Sequence, residues 1–375
     1  MAGGMNLAST YAKQVDERFH KESQAMMALN NDYKFVGFKT VHVYSIPTVP
    51  MVDYQRSGLN RYGTPNDLTR NVQSMTVNND KSFSFIIDKG DKIQSNMVSD
   101  AGKALARQIR EVVVPMYDTY VFATLAGEAT KRGNFSTEAI DKDNAYKVFL
   151  DAEEALGNHN VPDKGRVAFC SYKFANLLKQ DSAFMKYSNL SQEMVIKGVL
   201  GECDGVKVVK VPSSRLPAGC AFIMTHPCAA TAPKQLEEYK THDNPPGVSG
   251  WLVEGRFIYD CFVLNEKANA IYYHGSQPVL KILNVTTAAT DVGKSSIIVE
   301  PGVLEGAKRY YMTAADASGL TAVAHGTAIS PDAWTELTAN GLEITPTGGH
   351  TALRVVEVDA ANKPIAVGTA VLNIG

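Results

Sequence analysis

Residues 288–295 read AATDVGKS, and the closing glycine, lysine and serine could cradle phosphates. A working phosphate loop needs backbone amides and a helix N-terminus at the phosphates, with the lysine reaching their outer oxygens. Here alanine stands where the first glycine belongs. Lys294 and Ser295 run into SIIVEP, which is β-branched and closed by Pro301. The pattern predicts a solvated β-turn entering a strand, not a nucleotide site. Cys203, Cys220, His226 and Cys228 carry soft ligand atoms, but their spacing is not the paired short spacing of structural zinc sites. No activating signature stands beside any cysteine, and neither GxSxG nor HExxH occurs. Glu153-Glu154 and Glu237-Glu238 are adjacent carboxylates, which on a helix point apart and are solvated charges. The residues predict no enzyme, no cofactor and no metal site.

One glycine-rich stretch remains. Residues 198–217 read GVLGECDGVKVVKVPSSRLP, with Gly198, Gly201 and Gly205 spaced G-x-x-G-x-x-x-G. A dinucleotide fingerprint has different spacing and opens a helix, whereas this stretch enters an alternating valine strand. Gly198 or Gly201 is expected to end a preceding helix in a left-handed conformation, and Gly205 to turn the chain into Val206. All three read as backbone-turn glycines.

The elements that must position these groups follow from bulk properties and pattern. A chain of 375 residues is long enough for about two or three packed units. Net charge is −2, so no basic field advertises sequence-reading of nucleic acid, and no apolar run approaches the roughly 20 residues that cross a bilayer. The N-terminus has no signal-peptide core. Five cysteines at irregular spacing argue against a disulfide framework and for buried reduced thiols.

Residues 6–29 predict an amphipathic helix, with Leu7, Tyr11, Val15 and Phe19 recurring at every fourth position. FKTVHVYSI (38–46) alternates as a strand with Val41 and Val43 on one face. A Pro/Gly-punctuated passage, 47–65, follows. VQSMTV and KSFSFIID then read as a strand pair turning at Asn78-Asn79-Asp80, which makes an extended β-arm with little core of its own. Residues 92–126 predict a long helix that Pro115 kinks or interrupts. NAYKVFLDAEEALGNHNVP is a helix closed by Gly157 and Pro162, RVAFCS a buried strand, and SYKFANLLKQ a helix capped by Ser171. GRFIYDCFVLNEKANAIYYH (255–274) reads as two strands around a turn near Lys267. After residue 278, short alternating runs rich in Ala, Thr, Gly and Val predict an appended antiparallel β domain.

In order, DKSFSFIIDKGDKIQS, the long helix 92–126, GVLGECDGVKVVKVPSSRLP and GRFIYDCFVLNEKANAIYYH resemble the major capsid protein of tailed double-stranded-DNA bacteriophages, the Hong Kong 97-type fold. The resemblance covers roughly residues 6–278 and rests on the ordered set of passages. It implies an α+β chain with an N-terminal arm (1–37), an extended β-hairpin loop (38–91), a spine helix of the peripheral domain (92–130) and an axial domain (131–250). Returning strands of the peripheral domain (251–278) and an appended all-β, immunoglobulin-like sandwich (279–375) complete it.

The resemblance further implies a structural, non-enzymatic subunit that self-assembles into hexamers and pentamers of an icosahedral head around double-stranded DNA, without sequence-specific contacts or a membrane. Separate scaffolding, portal and decoration proteins are implied partners, and the virion, assembled in the host bacterial cytoplasm, the location. An encapsulin-like shell that packages a cargo enzyme is the alternative. Leu7, Tyr11, Val15, Phe19, Lys81, Phe83 and Phe85 are the expected inter-subunit contacts. In some relatives a loop lysine forms an isopeptide bond to a neighbour's asparagine, a role open to Lys81 and Lys89, although the solvated or ion-paired lysine is favoured.

Overall fold

The computed structural model describes residues 23–30, 32–33, 40–45, 51–57, 60–64, 71–89, 101–181, 201–247, 249–304 and 306–374. Leu7, Tyr11, Val15, Phe19 and Gly198 lie outside the described residues, as do residues 92–100 of the predicted long helix. The predicted N-terminal helix does not reach residue 29. Ala25–Ala28 form one 3-10 turn, and strand β1 (Leu29–Asn30) pairs in parallel with Ala230 and Thr231.

The arm begins with β2 (Thr40–Ser45) and β3 (Asn71–Thr76), antiparallel in a register that places Thr40 opposite Thr76 and Ser45 opposite Asn71. The next strand, β4 (Asn79–Asp88), does not fold back on β3, so the predicted pairing of VQSMTV with KSFSFIID is wrong. The two linking residues are held from the side. Val77 is buried with Met75 and Leu264, and the Asn78 amide donates to Asp260 Oδ2 at 3.1 Å. Those anchors carry the chain straight through, where a reversal would expose Val77 and leave the Asp260 carboxylate short of a donor.

The predicted long helix is two helices joined by a π turn: α1 (Ala101–Gln108), the turn Ile109–Val113, and α2 (Val114–Lys131). Pro115 explains the widening. Proline has no amide hydrogen for the carbonyl four residues back and its ring crowds that carbonyl. The turn relieves this by bonding the Val114 amide to Ile109 O, five residues back. The helix then runs to Lys131.

Strand β5 (Phe135–Ser136) leads to α3 (Ala145–Asn158). Gly157 stays inside this helix, contrary to expectation, and Asn160, at φ 56°, makes the left-handed exit while the Val161 amide bonds to Leu156 O. Strand β6 (Val167–Ser171) is buried throughout, and Ser171 caps α4 (Tyr172–Gln180) by accepting from the Phe174 amide at 3.2 Å. Strands β7 (Glu202–Cys203), β8 (Val206–Val211), β9 (Cys220–Thr225), β10 (Ala230–Thr231), β11 (Lys234–Asp243), β12 (Gly250–Tyr259), β13 (Phe262–Val263) and β14 (Ile271–Gly275) follow.

These strands build two sheets that matter here. A six-stranded sheet runs β5-β14-β9-β6-β8-β7, and a three-stranded sheet runs β11-β12-β4. The six-stranded sheet is covered on both faces. Phe122 of α2 meets Phe169 on one side, ring centroids 5.0 Å apart, while Phe149 of α3 and Phe174 of α4 meet Phe222 on the other. Cover on both sides is why its central strands read as continuous apolar runs instead of alternating ones.

Strands β12 and β14 are not a hairpin around Lys267. A 3-10 segment, Asn265–Ala270, and β13 separate them, and they join different sheets. Because β14 pairs with β9, the expected division between 131–250 and 251–278 cuts through the six-stranded sheet. Local alternation could not reveal this, since it tells which face a residue takes and not which strand lies beside it.

Residues 281–371 form a second core. Strands β15 (Lys281–Ile282), β16 (Asn284–Ala289), β17 (Ser295–Glu300), β18 (Lys308–Ala314), β19 (Thr335–Glu336), β20 (Leu342–Ile344), β21 (Ala352–Val358) and β22 (Pro364–Val371) make a five-stranded sheet, β15-β22-β21-β18-β19, and a three-stranded one, β16-β17-β20. Leu283, Ile297, Val299, Leu353, Val355 and Ala366 fill the space between them. AATDVGKS is the β16–β17 hairpin, with Ala288 opposite Ser296 and Lys294 paired to Glu343 at 2.7 Å. No helix N-terminus stands there to bind a phosphate.

Candidate assembly surface and its anchorage

The β2–β3 arm has two unlike faces. Val41, Val43 and Met75 pack down on Leu264, Ile258 and Phe262 of the same subunit. On the opposite face Tyr44 and Val72 stand directly across from each other and remain 64% and 54% exposed. The passage beyond carries Met51, Val52, Tyr54 and Tyr62, all exposed, with the two tyrosine rings in an edge contact at 5.0 Å. Single exposed apolar residues are ordinary on a protein surface, whereas grouped ones point to an interaction surface, and Tyr44 with Val72 and Tyr54 with Tyr62 are two such pairs. None of these six was singled out in the sequence. The available signal was the alternation itself: Val41 and Val43 facing the core puts Tyr44 on the outside.

The residues that were singled out lie elsewhere. Lys81 is exposed on β4 opposite Phe257. Phe83 and Phe85, expected as inter-subunit contacts, are half-buried and pack partly against the subunit's own main core. Phe83 lies across Gly255 of β12 and beside Tyr239, and a Cβ on Gly255 would fall 2.4 Å from the Phe83 ring. Strand β4 has its own groove to fill, which the sequence alternation does not distinguish from a neighbour's. Lys89 donates to Asn244 Oδ1 at 2.5 Å within the subunit. In the glycine stretch Asp204 and Gly205, at φ 52° and 80°, form the two-residue turn between β7 and β8, whereas the helix that Gly201 was expected to end falls outside the described residues.

Three polar anchors tie the arms and the C-terminal unit to the body. Asp118 of α2, fully buried, accepts from Ser23 Oγ at 2.6 Å and from the Gln24 and Ala25 amides, and Arg215 pairs with it at 2.9 Å. This carboxylate fastens the incoming N-terminal segment to the helix. Asp260 fastens the β-arm: it accepts from Asn78 N, from Cys261 N and from Tyr120 Oη at 2.6 Å. Burial pushes its carboxyl above the ordinary value despite these donors. Glu300, from the C-terminal unit, holds the same arm base through Thr76 Oγ1 and Asn78 Nδ2.

The third anchor joins α2 to the C-terminal unit. Glu357, with no exposed surface, accepts from Lys131 Nζ at 2.6 Å and from Arg309 Nε and Nη2 at 3.0 and 2.8 Å. Glu128 of α2 takes Lys281 of β15 and Arg132. Burial raises the Glu128 carboxyl, but Lys281, Lys131 and Arg132 outweigh it and hold the group below its ordinary value. Burial and then the neighbouring Lys281 charge lower Lys131. Sequence reasoning missed this network because its members are 229 positions apart at the extremes, Glu128 to Glu357, and none lies in a motif.

His226 Nδ1 accepts from the Cys228 amide at 3.2 Å and Nε2 faces the Lys164 carbonyl at 3.2 Å, so both ring nitrogens serve the local fold. The five thiols are unpaired, and burial pushes Cys203 and Cys220 up to about 12. Such thiols are poor nucleophiles.

No protein-family model and no curated protein matches the sequence. Solved structures do match. A chain of Mycobacterium phage Che8 aligns at TM-score 0.57 and 18% identity over 68% of this chain and 91% of its own. One from the capsid structure of cyanophage P-SCSP1u aligns at TM-score 0.53 and 12% identity, over 64% and 84%. The chain has the Hong Kong 97-type capsid fold. A chain of Microbacterium phage Oxtober96 aligns similarly, at TM-score 0.52 and 12% identity over 68% and 91%. Within the capsid fold, the elements described above are an arm with an uncovered apolar face, a helix that anchors three segments, and a two-sheet C-terminal unit locked to that helix.

Proposed function

We propose that this chain is the major capsid protein of a tailed double-stranded-DNA phage and self-assembles into the hexamers and pentamers of an icosahedral head. The observation that carries the reading is the capsid fold combined with the outer face of the arm. Tyr44, Val72 and the tyrosine pair beyond them have apolar surface that the subunit leaves uncovered, and an adjacent subunit is the surface this fold offers it. Each arm then ties its subunit to a neighbour, and repeated contacts gain from effective concentration around a closed shell. Lys81, exposed on β4, and the N-terminal residues Leu7, Tyr11, Val15 and Phe19 are further contacts in this reading.

The two-sheet unit is the immunoglobulin-like domain of the shell protein. DNA is enclosed by confinement, consistent with a net charge of −2. The same reading makes the chain a non-enzymatic virion component, assembled in the host cytoplasm with separate scaffolding, portal and decoration proteins.

The test removes the arm tip. Ser45 and Asn71 are paired, so residues 46–70 can be replaced by Asn-Gly, which closes a two-residue hairpin turn. The variant should keep the thermal transition of the parent and form no closed shells by negative-stain microscopy. Intact shells from the variant would refute the role of the arm. Parent particles filled with a cargo protein and free of nucleic acid would favour a cellular compartment over a phage head.

A further inference from the structure

The sheet β11-β12-β4 ends on β4, and the hydrogen bonds of its ladder identify the groups on that edge. The Lys89 amide donates to Ser249 O at 3.0 Å, so 89 and 249 are a hydrogen-bonded pair of the β4–β12 register. In an antiparallel ladder such pairs recur at every second residue. Asn79, Lys81, Phe83, Phe85 and Ile87 therefore direct their backbone groups to β12, and Asp80, Ser82, Ser84 and Ile86 turn theirs away from it. The other side of β12 agrees: the Asn244 amide bonds to Gly250 O, which gives the even residues of β12 to β11 and the odd ones to β4. Among the described residues nothing bonds the outward backbone groups of Asp80, Ser82, Ser84 and Ile86. All four residues are exposed, Ile86 at 56%. Asp88, at the strand's end, has a partner of its own.

A long open edge is a template for a further strand. The four outward residues lie symmetrically about Phe83, so the edge complements itself. A second β4 laid antiparallel, Phe83 facing the partner's Phe83, sets Asp80 against the partner's Ile86 and Ser82 against the partner's Ser84. The same contacts repeat in reverse, and all four outward residues bond one another. The charges select this register too. Sliding the strands so that Ser84 meets the partner's Ser84 would set Asp80 opposite the partner's Asp88, and like charges directly opposite are destabilising. In the symmetric register no like charges oppose. Lys81, which pairs with no carboxylate among the described residues, then lies across from the partner's Phe85, within reach of its ring face. The half-exposed Phe83 rings meet at the centre of the contact.

We infer that β4 pairs with β4 of a second copy of this chain across a twofold axis, joining the two sheets into one. The inference rests on the reading that the chain assembles with copies of itself, and it adds which strand meets which and in what register. Such a contact uses the same patch on both subunits and closes on itself.

The test co-expresses full-length Ser82→Cys and Ser84→Cys chains and oxidises the purified product with copper phenanthroline. Both serines are exposed and make no side-chain hydrogen bond among the described residues, so each variant should keep the thermal transition of the parent. In the inferred register Ser82 and the partner's Ser84 have Cα atoms about 5.5 Å apart, inside the roughly 4.4–6.8 Å that a disulfide spans. Ser82 and the partner's Ser82 are diagonal neighbours at about 7–8 Å. Random pairing makes about half of the twofold pairs mixed, so up to about half should carry a disulfide joining positions 82 and 84 by peptide mapping. Either variant alone should cross-link several-fold less. Negative-stain microscopy of the same samples separates this inference from the shell reading. Closed shells without the 82–84 disulfide would overturn the strand pairing and leave the shell reading standing. Equal cross-linking by Ser82→Cys alone would overturn the register, and a chain that neither assembles nor cross-links would overturn both readings.

Discussion

Replacing Glu357 with Gln tests how the C-terminal unit is held. Glu357 has no exposed surface and receives Lys131 at 2.6 Å and Arg309 at 3.0 and 2.8 Å. Glutamine keeps the shape and removes the charge, which leaves two buried cations facing an amide. Breaking a buried ion pair by removing one partner costs about 3–5 kcal/mol, because the remaining charge is stranded away from water. At about 2–4 °C per kcal/mol for large domains, the melting transition should fall by on the order of 10 °C. Denaturation of the unassembled parent and variant, followed by circular dichroism, reads this directly. Adding Lys131→Met to the variant should recover part of the loss, since one stranded cation is removed with it. A loss below about 1 kcal/mol would refute the reasoning, as it is the cost expected of an exposed, water-screened pair.

Four further outcomes follow from the same contacts. Glu128 has a folded pKa below its ordinary 4.5, so its contribution is complete above that value and is lost as pH falls through the lower, folded one. An acid titration of stability should therefore be shallower in Glu128→Gln than in the parent across that window. Asp118→Ala should loosen Ser23–Ala25 from the helix, seen as faster hydrogen exchange at the Gln24 and Ala25 amides, which donate to that carboxylate. Gly255→Ala should cost roughly 1–3 kcal/mol by crowding the Phe83 ring at 2.4 Å and Tyr239 at 2.9 Å, and Phe83→Leu should relieve part of it. A thiol reagent should modify Cys228 first in the native protein, with the four buried cysteines reacting only on unfolding.

Much of the fold was legible because it is local. Ser171 caps its helix by the hydrogen bond its position predicts, and the strand after Gly205 follows from valine alternation. Pro115 correctly marked a disturbance, though periodicity could not say that a π turn would absorb it. Strand partnership was not legible. The chemistry that sends β4 to β12 is the burial of Val77 and the bond from Asn78 to Asp260, both made by residues nearly two hundred positions away. The candidate surface was legible in part: the subunit itself half-covers Phe83 and Phe85, which alternation alone does not reveal, and Tyr44 and Val72 are the more exposed apolar pair of the arm. The charges of the joint looked like any solvated pair until α2 and β21 were brought together.

The most direct test of the shell reading is sedimentation velocity and negative-stain microscopy of the purified full-length protein after expression in bacteria. The account predicts closed, isometric particles many times the mass of the subunit, in which Tyr44 is protected from iodination relative to Tyr44 of the unassembled arm-tip variant. A chain that stays monomeric at every concentration, with Tyr44 and Tyr62 both freely modified, would contradict it.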